Sequence, residues 1–383
     1  MSNNLNKIFI QIASYRDPQL IPTIANCIEN ANNPENLRFG ICWQYDETEN
    51  INYFLNDNRF KIIKVPYADS KGCCWARHQL QQLYNNEEYT LQLDSHHRFI
   101  KGWDTILIYM YKQLKNKGIQ KPLITTYLPS FNPKNDPKDR VLVPWKIDFK
   151  EITEDHQVLF IPSHMHNFLT LTEPISARFY SAHFAFTSGN FVKEVPHDPE
   201  LYFTGEEMSI TVRAFTYGYD LFHPHIVIAW HEYTRNYRKK QWDDDREWWK
   251  KDKHSKQHYL SIFTNREKYG IGNKRTVQDY IDFSGIYFLP NEMRKGNKQI
   301  KCETPKDEMP KDETSKELKI YKLFDTSWRN WIKENVDLKV NINLLKDILL
   351  KANFKPEDIE NEINTYLRHA QTNDNDKPEV IHI

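Results

Sequence analysis

Short apolar runs alternate with helix-like stretches over the first hundred residues, and this alternation constrains the fold more than any other feature. Four runs have the length and composition of strands, namely residues 7–13, 37–43, 60–65 and the run that ends at Leu93. Between the first two runs, apolar residues recur at the spacing of one helix face, at Leu20, Ile21, Ile24 and Ile28. Strands that alternate with helices predict a mostly parallel sheet flanked by helices, which is an α/β fold.

Polar residues lie at the ends of three predicted strands, and beside or within the helix that follows the third. Because the carboxyl ends of parallel strands meet at one edge of a sheet, we expect these residues to share a crevice. They are Arg16, Asp46, Asp69, Arg77, Asp94 and His96. The chain contains neither a G-x-x-x-x-G-K-[ST] phosphate loop nor a G-x-G-x-x-G fingerprint. Arginine and a metal ion would therefore neutralise the phosphates of a nucleotide bound here.

The tripeptide Asp94-Ser95-His96 directly follows the strand that ends at Leu93. Residues two apart in an extended chain point to the same side, so the carboxylate of Asp94 and the imidazole of His96 can reach one divalent ion. A carboxylate beside an imidazole suits Mn²⁺, while Mg²⁺ and Zn²⁺ also fit. An exposed Asp and His without a metal is the other interpretation of so short a pattern.

Further polar residues cluster in the second half of the chain. His231 follows the predicted buried strand 226–230 and is a candidate third metal ligand, although a histidine at a sheet edge can equally be structural. Glu206 and Glu207 precede a helical pattern, where they are either a functional pair or the acidic residues that favour a helix N-terminus. His164 and His166 form a His-x-His pattern, for which surface histidines are the simpler explanation.

Composition excludes several classes of protein. The 52 basic residues balance 52 acidic ones, which argues against a basic nucleic-acid-binding protein and against membrane attachment by net charge. No apolar run approaches the roughly 18 residues of a membrane span, and the first residues lack the apolar stretch of a signal peptide. Five scattered cysteines do not suggest a disulfide framework. We expect a cytoplasmic protein with no nucleic-acid partner and no membrane span; its oligomeric state is open.

The chain is expected to comprise three segments. Residues 1–299 form the catalytic domain, residues 300–317 a charged linker that repeats Pro-Lys-Asp-Glu, and residues 318–383 a small helical module. Near the end of the first segment, residues 238–256 are densely charged and interleaved with tryptophan. This stretch is either a mobile lid over the crevice or a solvated helix.

Five motifs in a fixed order resemble those of a known enzyme family. They are Ala13-Ser14-Tyr15-Arg16-Asp17, Gly72-Cys73-Cys74-Trp75-Ala76-Arg77, Asp94-Ser95-His96, Phe203-Thr204-Gly205-Glu206-Glu207 and Trp230-His231-Glu232-Tyr233. Together they resemble a retaining glycosyltransferase of the GT-A fold. In particular, the chain resembles the cytoplasmic hydroxyproline-protein GlcNAc-transferase family, which is similar to the mucin-type polypeptide GalNAc-transferases. The resemblance covers roughly residues 7–240.

The resemblance implies roles for individual residues. It implies a metal site formed by Asp94, His96 and His231, and it places Glu206, Glu207 and Arg77 as candidates for catalysis. With the crevice pattern, it gives the donor-binding candidates Ser14, Arg16, Asp46, Asp69, Arg77, Ser95, Gly205 and Arg235. The acceptor-binding candidates are Trp230, Glu207 and Tyr233. Phe203-Thr204 stands where the mucin-type enzymes have Trp-Gly, which leaves the sugar specificity open.

The expected function is transfer of a sugar from a nucleoside diphosphate donor by a metal-dependent, retaining glycosyltransferase. The resemblance implies UDP-GlcNAc as donor, Mn²⁺ as cofactor with Mg²⁺ as the alternative, and a hydroxyl of a protein or peptide as acceptor. Other interpretations are an enzyme that builds a surface glycan, a metallohydrolase that uses the Asp/His/His group, and a carbohydrate-binding module without catalysis. An inverting reaction with Glu206 or Glu207 as base is also open.

Overall fold

The computed structural model describes residues 4–51, 54, 56–234, 238–290, 326–337, 342–351 and 354–375. The chain divides into two compact units, one formed by residues 1–132 and 140–300 and the other by residues 133–139 and 301–383.

The strands in chain order are β1 (Ile8–Tyr15), β2 (Leu37–Tyr45), β3 (Phe60–Pro66), β4 (Tyr89–Leu93), β5 (His97–Phe99), β6 (Pro122–Thr125), β7 (Trp145–Ile152), β8 (Val158–His164), β9 (Ile175–Ser176), β10 (Phe184–Ser188), β11 (Asp220–His223) and β12 (Ala229–His231). The α-helices are α1 (Leu20–Asn30), α2 (Cys73–Gln81), α3 (Trp103–Asn116), α4 (Phe191–Glu194), α5 (Glu206–Thr216), α6 (Gln241–Asp244), α7 (Trp248–Ile262), α8 (Val277–Ser284), α9 (Thr326–Asp337), α10 (Ile342–Lys351) and α11 (Pro356–Asn375).

Eight strands form the central sheet of the first unit, in the order β3-β2-β1-β4-β10-β6-β11-β9. The first four are parallel to one another, and β11 is parallel to β6. Strand β10 runs antiparallel between β4 and β6, and β9 runs antiparallel to β11. The predicted α/β architecture with a mostly parallel sheet and flanking helices is confirmed.

Strand β1 lies near the middle of the sheet and is buried on both faces. On one face, Ile10 and Ile12 pack into the main core with Ile24 of α1. On the other face, the buried amide of Gln11 donates to Oγ1 of Thr90 on the neighbouring β4. The amide nitrogen is thus hydrogen-bonded inside the sheet, whereas Oε1 of the same side chain is buried without a hydrogen-bond partner.

A second core lies beneath the helices of the later half of the unit. Met208 and Val212 of α5 pack there with Tyr259 of α7 and Tyr280 of α8. Because α5 begins at Glu206, this packing fixes the position of the two predicted acidic residues at its N-terminus.

The chain after α5 differs from the sequence prediction. The strand that joins the central sheet is β11, whereas the expected strand 226–230 is reduced to β12, which pairs with β5 in a separate two-stranded sheet. Pro224 follows the end of β11 and lacks the N–H that a continuing strand would need. Residues 141–168, for which the sequence suggests no clear assignment, contain the hairpin β7–β8.

The second unit contains three described helices, α9, α10 and α11. Their buried apolar residues include Ile332, Leu345, Leu349, Ile359 and Ile363. The predicted linker 300–317 lies outside the described residues, so the predicted domain limits remain a prediction. Among the described residues, no helix combines the length and the apolar character that crossing a membrane requires.

Candidate active site

Several strand ends bring polar side chains to one edge of the central sheet. Strands β1 and β4 pair in parallel with Ile12 opposite Leu93, so the turns that follow them lie side by side. Strand β12 pairs antiparallel to β5 with His231 opposite His97, which places His231 beside the turn between β4 and β5. Residues that are distant in the sequence therefore converge at this edge.

Asp94, His96 and His231 form a group in which each residue offers one ligand atom. These three atoms all lie within 4.8 Å of one another. Nε2 of His96 is 3.6 Å from Oδ2 of Asp94, and Nε2 of His231 is 3.4 Å from the same oxygen. Nε2 of His96 is buried without a hydrogen-bond partner, which leaves its lone pair for another ligand. A carboxylate oxygen and two imidazole nitrogens suit a divalent ion such as Mn²⁺ or Zn²⁺, so these residues fit a metal.

Arg77 contacts Asp94 on the oxygen that faces away from the histidines. Its Nη2 lies 2.6 Å from Oδ1 of Asp94, and its Nη1 donates to Oε1 of Glu206. Burial raises the pKa of Asp94, but the contact with His231 and the charge of Arg77 outweigh burial and hold this pKa well below its usual value. Asp94 is therefore ionised, as a metal ligand must be.

Helix α2, which carries Arg77, is preceded by an N-cap position that favours glycine. Gly72 has φ +122°, and a Cβ on it would lie 2.8 Å from the carbonyl oxygen of Tyr202. The backbone N–H of Cys73 donates to this same oxygen over 3.0 Å. The close approach ties the start of α2 to the segment just before α5, which explains how Arg77 reaches Glu206.

The start of α5 places Glu206 and Glu207 in different surroundings. Gly205 precedes the helix with φ +91°, and a Cβ there would lie 2.7 Å from Cδ2 of Tyr259. Burial raises the pKa of Glu206, although its ion pair with Arg77 opposes the shift. Glu207 accepts the hydroxyl of Tyr127 over 2.7 Å and the N–H of Ala182 over 2.9 Å. Burial raises the pKa of Glu207 to about 7.

Asp17 is a buried carboxylate that holds the other side of His96. Its Oδ2 lies 2.8 Å from Nδ1 of His96 and accepts the hydroxyl of Ser95 over 2.7 Å. Its Oδ1 accepts the backbone N–H of Gln19 at the start of α1. Ser95, a predicted donor-binding residue, is thus engaged with Asp17.

The predicted donor-binding residues near β1 and β2 form a second cluster. Arg16 lies 2.6 Å from Asp46 and 2.8 Å from Asp244 of α6, and Tyr15 donates its hydroxyl to Asp244 over 2.9 Å. Ser14 is fully buried, and its Oγ has no hydrogen-bond partner. Asp69 ends a short 3₁₀ turn and is exposed, whereas Arg235 lies outside the described residues.

Residues 238–256 contain α6 and the start of α7. The side-chain amide of Gln241 donates to Oγ of Ser70 over 2.7 Å, and Trp242 packs edge-to-face against Phe203 with ring centres 5.6 Å apart. Trp248 and Trp249 are exposed. Part of the segment thus packs next to the Arg16 cluster and part faces solvent, while its mobility remains a prediction.

The predicted acceptor-binding residues lie around His231. Tyr233 packs edge-to-face against His231, with ring centres 4.4 Å apart, and donates its hydroxyl to the carbonyl of Leu128. Trp230 is buried, and its indole N–H donates to the carbonyl of Val141. The acceptor contacts of both residues remain predictions.

Sequence reasoning missed four residues of this region: Asp17, Tyr127, His183 and Asp244. The ring of His183 stacks on His231 with centres 4.2 Å apart. Of these four residues, only Asp17 could have been found from the sequence. It follows β1 within the motif 13–17, and the carboxyl end of β1 is expected at the crevice. His164 and His166 lie on and after the outer hairpin strand β8, with ring centres 5.9 Å apart, and belong to no three-ligand group among the described residues.

The fold and the site together define an α/β protein with a candidate acid–histidine metal site at the carboxyl edge of its sheet. The chain belongs to the glycosyltransferase (GlcNAc) family, whose model matches residues 7–56 and 50–289, more than half of the chain. No curated protein matches the chain.

Solved structures similar to this chain are distant in sequence. The structure of GalNAc-T7 with UDP, GalNAc and Mn²⁺ is 14% identical, with a TM-score of 0.47, and the match covers 74% of this chain and 55% of that one. This chain thus spans about half the length of the GalNAc-T7 chain. TarS of S. aureus in complex with UDP-GlcNAc is 10% identical, with a TM-score of 0.39, and the match covers 96% of this chain and 92% of that one.

Proposed function

We propose that this chain is a metal-dependent, retaining glycosyltransferase that moves GlcNAc from UDP-GlcNAc to a hydroxyl of a protein or peptide. The observation that carries the proposal is the Asp94, His96 and His231 group, with Arg77 on the opposite oxygen of Asp94. Membership of a glycosyltransferase family gives this metal site its proposed use.

The metal site fits the demand of the proposed reaction. Negative charge builds up on the departing diphosphate, and a divalent ion bound here would act as a Lewis acid on that leaving group. Asp94 supplies the anionic ligand, and the contact with His231 and the charge of Arg77 hold its pKa well below its usual value. The guanidinium of Arg77 already contacts Asp94 and Glu206, so we propose that it holds these carboxylates in place. A direct contact between Arg77 and the donor remains a prediction.

The retaining assignment rests on the motif resemblance, and the contacts of the two glutamates define its inverting alternative. An inverting enzyme needs a carboxylate that is free to take the proton of the acceptor hydroxyl. Glu206 is paired with Arg77, and Glu207 accepts hydrogen bonds from Tyr127 and Ala182. Glu206 is thus held in an ion pair, while each oxygen of Glu207 keeps a second lone pair, so an inverting reaction with Glu207 as base is the alternative to transfer in which the diphosphate oxygen accepts the proton.

GlcNAc as the sugar and a protein hydroxyl as the acceptor rest on the family and on the motif resemblance. The description of the matching family names GlcNAc. Manganese as the metal and the cytoplasm as the location rest on the same resemblance. Fractionation of cells that express the tagged protein tests the location.

The test of the proposed function is release of UDP from a panel of UDP-sugars in the presence of Mn²⁺ or Mg²⁺. We expect UDP-GlcNAc to be the preferred donor, and a hydroxyproline peptide to accept the sugar in the α configuration when the product is examined by NMR. Transfer to a purified glycan but to no peptide would favour an enzyme that builds surface glycans. Metal-dependent hydrolysis of compounds that are not sugar nucleotides, without release of UDP from any UDP-sugar, would favour a metallohydrolase.

A further inference from the structure

We infer that Asp17 is a positioning residue that fixes the tautomer of His96 and so prepares its Nε2 to bind a metal ion. The inference rests on the metal site of the proposed function and is independent of the sugar, the acceptor and the stereochemistry.

Asp17 is surrounded by hydrogen-bond donors. Its Oδ1 accepts the N–H of Gln19 over 2.8 Å, and its Oδ2 accepts the hydroxyl of Ser95 over 2.7 Å. Nδ1 of His96 lies 2.8 Å from the same Oδ2. Arg238 lies 3.9 Å from this oxygen and adds a positive charge. These partners favour the ionised carboxylate, which can only accept hydrogen bonds.

An acceptor at Nδ1 decides where the proton of a neutral imidazole resides. His96 must carry its proton on Nδ1 to donate to Asp17, so Nε2 keeps a free lone pair. That Nε2 is buried, has no hydrogen-bond partner and lies 3.6 Å from Oδ2 of Asp94. A carboxylate behind a metal-bound histidine commonly orients the ring and fixes its tautomer in this way.

The backbone around His96 is held independently of any metal. Oγ1 of Thr23, on α1, donates to the carbonyl of Ser95 over 2.9 Å and accepts the N–H of His97 over 2.8 Å. The turn between β4 and β5 is therefore tied to α1, whose N-cap residue Gln19 donates its backbone N–H to Asp17. A change at Asp17 should act on the imidazole of His96 more than on the path of the chain.

Asp17→Asn tests the inference because it preserves size but replaces one acceptor with a donor. If the new amide nitrogen faces His96, it donates to Nδ1 and drives the proton to Nε2, which blocks the ligand position. If the amide is turned around, its nitrogen meets the N–H of Gln19, and the hydrogen bond that this N–H donates to Asp17 is lost. The matched control is Asp104→Asn, since Asp104 is also buried and caps the backbone N–H groups of Asn32 and Asn33 but touches no histidine.

The readouts are the ¹⁵N chemical shifts of histidine in the metal-free protein and the affinity for Co²⁺ alone, measured by absorption and calorimetry. We expect the Nδ1–H tautomer of His96 in the wild type and Co²⁺ affinity about 10- to 100-fold lower in Asp17→Asn. Asp104→Asn should keep the wild-type affinity.

Three results would overturn the inference: an Nε2–H tautomer in the wild type, unchanged Co²⁺ affinity in Asp17→Asn, or an equal loss in the control. The wild-type spectrum decides the question even if Asp17→Asn does not fold. A protein that binds Co²⁺ through an Asp17-dependent His96 but releases no UDP from any sugar nucleotide would reject the proposed function and leave this inference standing.

Discussion

The two carboxylate oxygens of Asp94 face different partners, because Arg77 lies 2.6 Å from Oδ1 while His96 and His231 approach Oδ2. One side chain thus joins a buried cation to a candidate metal site. Substitution of Asp94 should therefore affect metal-dependent binding, and substitution of Arg77 should affect turnover.

Asp94→Ala should abolish UDP release and the Mn²⁺ dependence of UDP binding, because the only anionic member of the ligand group is lost. Calorimetry of UDP binding with and without Mn²⁺ measures the effect, and circular dichroism checks that the fold is retained. The control is Asp57→Ala, which removes a partly buried carboxylate that is paired with Arg59 away from the ligand group. Mn²⁺-dependent UDP binding that persists in Asp94→Ala would contradict the metal assignment.

Arg77→Lys should lower kcat about 10- to 100-fold, which corresponds to about 1.5–3 kcal/mol. Lysine keeps the charge but loses the planar fork that reaches Asp94 and Glu206 at once, so one buried carboxylate loses its partner. Steady-state kinetics of UDP release measure the change. The surface variant Arg59→Lys should leave kcat unaltered, and wild-type kinetics in Arg77→Lys would show that the fork is dispensable.

Glu207→Gln should stabilise the protein at pH 8 but not at pH 5. Burial raises the pKa of Glu207 to about 7 from its ordinary value of 4.5. Between pH 4.5 and pH 7, the folded state therefore keeps a proton on Glu207 that the unfolded state has released. The stability that this protonated carboxyl contributes is fully present below about pH 4.5 and is lost as the pH rises through 7.

A glutamine cannot ionise, so Glu207→Gln should exceed the wild type at pH 8 by up to about 3 kcal/mol in free energy of unfolding. Urea denaturation at the two pH values provides the measurement. Glu154→Gln, at an exposed position, serves as the control. A difference between Glu207→Gln and the wild type that does not change with pH would mean that Glu207 stays ionised when buried.

Asp244→Asn should strengthen UDP binding about two- to fivefold, a change of less than about 1 kcal/mol. Asp244 accepts hydrogen bonds from Arg16 and Tyr15. A donor phosphate that binds Arg16 would have to displace Asp244, so loss of its negative charge should favour UDP. Titration of UDP in the presence of Mn²⁺ gives the affinity, with Glu247→Gln as a charge-removing control in the same segment. Weaker binding in Asp244→Asn would instead place Asp244 among the groups that hold the donor.

Truncation after residue 300 should leave hydrolysis of the donor intact, because all the described site residues belong to the first unit. Transfer to a macromolecular acceptor would be lost if the helices of the second unit bind that acceptor. The comparison of the two activities in residues 1–300 and in the full chain separates these roles. Loss of both activities in a folded, UDP-binding fragment would contradict the predicted domain limit near residue 299.

The early part of the fold could be predicted because its signals are local. The apolar runs of β1 and β2 and the helical spacing of α1 lie within short windows of sequence. The direction of β10 could not be obtained in this way, since it depends on pairing with β4 and β6 from distant parts of the chain. The position of β12 was misjudged for the same reason, because its partner is β5.

The candidate site shows the same division. Asp94 and His96 share a side because they are two residues apart at a strand end, which is a local relationship. Asp17 meets His96 only because β1 and β4 are neighbours, and Asp244 meets Arg16 across more than two hundred residues. Contacts of this kind depend on the order of strands and the packing of loops, which no short sequence pattern contains.

The pairing of β12 with β5 also bears on the order in which the protein matures during synthesis. His231 reaches Asp94 across a separation of 137 residues, whereas Asp94 and His96 are adjacent as soon as β4 is made. The ribosome must therefore produce the hairpin β7–β8, α5 and β11 before the third ligand exists, and closing so long a loop delays its docking. A nascent chain that ends before β12 would lack the complete metal site, so tight metal capture should begin only after β12 has been made.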